Sequence, residues 1–94
     1  MPRFHVRETL ALPDKSAFVL IGFVLEGEIT AGMSVSLPFN AHVKMTAKID
    51  RLEFVHRRDG EMVCLCLQCA VPAEVSLWEA LQVKNRMIDV ISVT

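Results

Sequence analysis

The chain has 94 residues, 52% of them hydrophobic and 22% charged, and a formal net charge of −1. A chain of this length builds one core, so a single domain over residues 1–94 is expected, with enough apolar content to need no staple. The near-neutral charge argues against a dedicated nucleic-acid binder, whose affinity comes mostly from neutralising phosphates, although a local basic patch would still serve. No apolar run reaches the ~18 residues of a membrane span. The opening Met1-Pro2-Arg3-Phe4-His5 leads at once into a patterned segment, so neither a signal peptide nor a membrane partner is expected. Three cysteines, an odd number with no leader before them, point to a reduced, cytoplasmic compartment.

Arg3 to Leu12 alternates imperfectly and is expected to form a first strand, closed by the turn residues Pro13-Asp14-Lys15-Ser16. Ala17 to Leu25 (AFVLIGFVL) is apolar almost throughout. It fits a strand buried on both faces, or a strand whose bulge at Gly22 changes its aim, or else a buried helix; Gly22 and the β-branched content argue against the helix. Glu26-Gly27-Glu28 and Ala31-Gly32 are turn signals. Met33, Val35 and Leu37 then alternate with Ser34 and Ser36, the cleanest period of two in the chain, and Pro38-Phe39-Asn40 ends that strand.

His42 to Val55 alternates with a phase slip between Ile49 and Leu52, which predicts a bulge near Asp50-Arg51. Arg57 to Glu61 is a polar hairpin connection containing the turn pair Asp59-Gly60. Met62 to Gln68 returns as a strand with Val63, Leu65 and Leu67 on one face and Cys64, Cys66 and Gln68 on the other. Glu74 to Leu81 is the one stretch expected to be helical, with Ser76 as its cap and Glu79 as the partner in a capping box. Met87 to Val93 alternates as a last strand. Six short strands with regular turn signals, several apolar on both faces, predict an all-β closed barrel, because closure removes exposed edges.

The segment Gly22 to Val35 reads GFVLEGEITAGMSV. It resembles the signature Gly-x-Val-x-x-Gly-x-Ile-x-x-Gly-x-x-Val of the second domain of Tu-type translation elongation factors, falling on Gly22, Val24, Gly27, Ile29, Gly32 and Val35. Ile49-Asp50-Arg51-Leu52-Glu53 and Gly60-Glu61-Met62-Val63 fit the same frame, so the likeness runs from about Phe4 to Leu81. It implies a small closed six-stranded Greek-key-like barrel in which Gly27 makes a tight hairpin and Val24, Ile29 and Val35 face the core. The sequence departs from the family at Cys64, where a small residue is usual, and at Leu77 to Leu81, where a glycine precedes the last strand. No GxxxxGK[ST] loop is present, so the family's GTPase chemistry is not expected here.

The candidate site residues are few. Cys64, Cys66 and Cys69 could ligate zinc or an iron–sulfur cluster with His56. However, Cys64 and Cys66 stand two apart on a strand, about 7 Å, which is wide for one tetrahedral ion. Small buried apolar side chains are the plainer reading, and neither metal nor cofactor is expected. His5, His42 and His56 are scattered and accompany no GxSxG elbow, so no catalysis is expected. His56, Arg57 and Arg58 at the hairpin form the best local binding feature, since a guanidinium fork grips phosphate or carboxylate; the plainer reading is a soluble tip. Trp78 either plugs one end of the barrel or anchors an interface. The expected function is a non-catalytic module of the translation-factor barrel type that binds a protein or RNA partner. The alternatives are a small-molecule or metal-binding site or an enzyme using the Cys and His residues, and a homo-oligomeric, for example homodimeric, structural domain.

Overall fold

The computed structural model describes residues 2–38, 44–58 and 60–92, with the backbone alone at Arg57. Six strands are described: β1 (Arg3–Leu12), β2 (Ala17–Glu26), β3 (Ser34–Pro38), β4 (Lys44–Arg57), β5 (Gly60–Gln68) and β6 (Met87–Ile91). One helix, α1 (Pro72–Ala80), lies between β5 and β6, and a 3-10 turn over Pro13–Lys15 joins β1 to β2. Pro13 presets that turn, and Ser16, at φ 49°, reverses the chain while donating its N–H to the Pro13 carbonyl at 3.1 Å. All neighbouring strands are antiparallel, and they close into a ring in the order β1-β2-β5-β4-β3-β6.

The interior follows the period of two. Phe4 and Val6, Phe18 and Leu20, Val35 and Leu37, Ala47 and Ile49, Val63, Leu65 and Leu67, and Ile88 and Val90 all point inward and are buried. The phase slip in β4 is a bulge: Ile49 faces Leu67 and Arg51 faces Cys66, so Asp50 is the extra residue. It returns Leu52 to the core side, where Leu52 packs partly buried.

Several expectations are corrected. The bulge foreseen at Gly22 lies across the ladder from it. Gly22 pairs with Val6, and Arg7 on β1 is the extra residue there. Gly22 serves instead for close approach, because a Cβ at this position would overlap the His5 carbonyl oxygen. Just before the bulge, Val6 takes Arg86 and Asn85 as backbone partners at 2.9 and 2.7 Å, prolonging the pairing of β1 to residues ahead of the start of β6. Gly27 makes no tight hairpin, since β2 and β3 are not neighbours in the ring. At φ 74° it turns the chain against Pro2 into a crossing segment that buries Ile29. Val24 is 38% exposed, not in the core, because β5 stops pairing with β2 at Gly22. Arg57 pairs with Gly60, so Arg58 and Asp59 alone connect β4 to β5; Asp59, like Phe39, Asn40, His42 and Val93, lies outside the described residues.

The helix starts earlier than its sequence suggests. Pro72 opens it after an extended Val71, and Ser76 lies within it. The N-cap Val71 has no side-chain capping bond; one residue earlier, the Glu74 carboxylate accepts the Ala70 N–H at 3.0 Å. Val75 and Trp78, three apart on one face, are each 1% exposed. The indole of Trp78 stacks on Phe18 with centroids 6.2 Å apart and planes at 24°, and it closes the end of the ring beside the 3-10 turn. The plug reading of Trp78 therefore stands, and its alternative as an exposed anchor does not.

Two outcomes are expected. Gly22→Ala, which drives a methyl into the His5 backbone, should cost about 3 kcal/mol in urea unfolding. Emission of the single Trp78 should be that of a buried indole and resist acrylamide until the chain unfolds.

Candidate functional site: a groove on the outer face of the ring

The outward positions of β2 and β5 are where the ring departs from ordinary alternation. Val19 and Ile21 on β2 and Cys64 and Cys66 on β5 face out, where polar side chains would be usual. Register sets them in rungs: Leu10, Val19, Cys66 and Arg51 across four strands, then Glu8, Ile21, Cys64 and Glu53 beside them. An open cavity of about 410 Å³ lies over these rungs. Val19 and Cys64 are 8% and 9% exposed at its floor, and Leu10, at 51%, stands on its wall.

The rim carries both signs of charge, with Lys15 and Arg51 set among Asp50 and Glu53. The Arg51 Nε lies 3.7 Å from a Glu53 carboxylate oxygen, and the guanidinium also hydrogen-bonds the Cys66 side chain. Cys66 first, then Glu53, push the Arg51 guanidinium above its usual value, so it stays charged throughout the accessible pH range. Both side chains of the ion pair are largely exposed, so its role is to shape the rim more than to stabilise the fold.

The residues singled out from the sequence do not converge on one place. Cys64 and Cys66 share the groove, whereas Cys69 follows β5, is 2% exposed and donates its N–H to the Ser16 carbonyl at 2.8 Å. Among the described residues, no group of three or more His, Cys, Asp or Glu side chains could hold a metal ion. His56 sits on the β4–β5 hairpin, highly exposed, with Nδ1 3.5 Å from the Glu61 carboxylate. Arg58 is exposed at the same tip, and the Arg57 side chain lies outside what is described. Trp78 is in the plug at the opposite end of the ring. His5 lies on β1, and His42 is outside the described residues.

The groove itself escaped the sequence. Its signal is present in the two-faced apolar run of β2 and in the Cys-x-Cys face of β5, which alone suggests either buried filler or metal ligands and not a groove. Among the described residues, no helix is long and apolar enough to cross a membrane. Comparison with protein-family models, curated proteins and solved structures finds no match to the chain.

The three thiols should differ in reactivity. Cys66, partly exposed in the groove, should be alkylated first, and Cys69 only when the chain opens; mass spectrometry of peptides from briefly treated native protein checks this order. Burial, with a lesser contribution from Glu74, pushes the Cys69 thiol above its ordinary 9.0. The stability this represents is complete below pH 9.0 and lost as pH rises through the folded value, because the unfolded thiol ionises first. A urea midpoint that falls on the alkaline side, less so in Cys69→Ala, is the expected result.

Proposed function

We propose that this chain is a non-catalytic interaction module of the translation-factor β-barrel type, and that it holds a protein partner in the outer groove. The observation that carries this reading is an open cavity whose apolar floor is built from the half-buried Ile21 and Cys66 and the nearly buried Val19 and Cys64, rimmed by charges of both signs. Burial of such a surface supplies association energy of roughly 25 cal/mol per Å² before the costs of binding. The complementary partner segment places apolar side chains on the floor and meets Arg51 and Glu53 with opposite charges. The ring of six antiparallel strands supports a Greek-key barrel of the elongation-factor type, while Gly27 and Val24 depart from the places that likeness implies.

Protein is favoured over RNA on charge. On the groove rim the Arg51 guanidinium lies 3.7 Å from the Glu53 carboxylate, and the net charge of the chain is −1. The Arg57-Arg58 tip is the feature that favours RNA.

Affinity capture from a lysate, with and without ribonuclease, tests the two together. The expected result is a protein retained under both conditions, lost with Leu10→Asp in the groove and kept with Arg57→Ala/Arg58→Ala. Recovery that requires intact RNA and disappears with the arginine pair would transfer the function to the hairpin tip.

A further inference from the structure

Past Ile49 the fourth strand loses one of its neighbours. β3 pairs with Lys44 to Lys48, and Met33 and Gly32 bond the Ile49 N–H and carbonyl at 2.8 and 2.9 Å. Among the described residues, β5 is the only ladder partner from Arg51 to Arg57, and no backbone hydrogen bond is made along the other edge. This edge carries Phe54, the most exposed of the large apolar side chains described, at 63%. An unpaired edge with an exposed aromatic is a template for another strand. We propose that two copies of this chain pair along it, antiparallel about a two-fold axis at Val55.

The register follows from backbone phase and charge. Ile49 turns its N–H and carbonyl toward Gly32 and Met33. The extra residue at Asp50 shifts the phase, so that Arg51, Glu53, Val55 and Arg57 turn these groups to β5, and Leu52, Phe54 and His56 turn theirs to the open edge. A two-fold antiparallel ladder sets open-edge residues against open-edge residues, which leaves axes at Glu53, Phe54 or Val55 for a pairing that uses most of the edge. An axis at Glu53 sets Glu53 against its own copy. An axis at Phe54 sets Arg51 against Arg57. Both bring like charges directly opposite, which is destabilising. The axis at Val55 sets Glu53 against Arg57 of the second copy, twice over by symmetry, and Phe54 against His56. Self-complementarity of this kind is what an isologous interface requires, and it specifies a second copy as the occupant. The inference does not depend on the groove having a partner.

Sedimentation velocity on the whole chain over a wide concentration range tests it. The wild type should dimerise. Glu53→Arg or Arg57→Glu alone should weaken dimerisation about tenfold or more, since two attractive cross-strand pairs become repulsive. The double swap Glu53→Arg/Arg57→Glu should restore it. Emission of Trp78 reports whether each variant is folded, and if one single variant unfolds, the other and the double swap carry the test. A chain that stays monomeric at every concentration would overturn the proposal. So would a dimer indifferent to the single swaps, or one that the double swap does not restore.

Discussion

The ring is held shut by a short seam. β3 and β6 meet over three pairs, Ser34 with Ile91, Val35 with Val90 and Ser36 with Asp89. Every other junction belongs to an open six-stranded sheet; this one makes it a closed ring. Val35 and Val90 are both fully buried at the seam, and the Val90 N–H donates to the Pro2 carbonyl at 2.9 Å, which ties the start of the described chain to the same place. Closure then requires the interior to be filled by alternate side chains from all six strands, and it leaves their other face to water.

That requirement makes the outer face informative. Most outward positions are charged or polar, as on β4 and β6, where Lys48, Arg51, Glu53 and Asp89 are exposed. β2 and β5 break the pattern side by side, and their register puts Val19, Ile21, Cys64 and Cys66 together on one surface. These four residues lie on the outer face of the ring, with Ile21 and Cys66 half-buried, and that apolar outer surface is the observation behind the proposed binding role.

Local patterns were legible in the sequence and distant adjacencies were not. The serine alternation around Val35, the slip between Ile49 and Leu52, and the Val63, Leu65, Leu67 face each lie within one strand, so period alone places them. Helix α1 was legible as a helix but not in its start, because Pro72 at the first helical position outweighs Ser76 as an N-terminal signal. Gly22 read as a bulge because a glycine in a strand marks either a bulge or a close backbone approach, and only the neighbouring β1 decides between them. The groove needed Val19 beside Cys66 and Cys66 beside Arg51, three residues far apart in the chain and adjacent only through register. The stacking of Trp78 on Phe18 is non-local in the same way, although the chemistry of a lone buried tryptophan anticipated the plug.

The seam between β3 and β6 also governs how the chain reaches this fold. Its two strands are separated by almost all of the second half of the sequence, so the closing contacts carry a large loop-entropy cost and come late. Until β6 arrives, the nascent sheet has two raw margins, β1 on one side and β3 on the other, each able to recruit a strand from a neighbouring molecule. A chain still emerging from the ribosome passes through that state every time it is made. Conditions that delay the last strand, such as crowded synthesis or truncation ahead of Met87, would therefore turn a self-contained ring into an aggregation-prone open sheet.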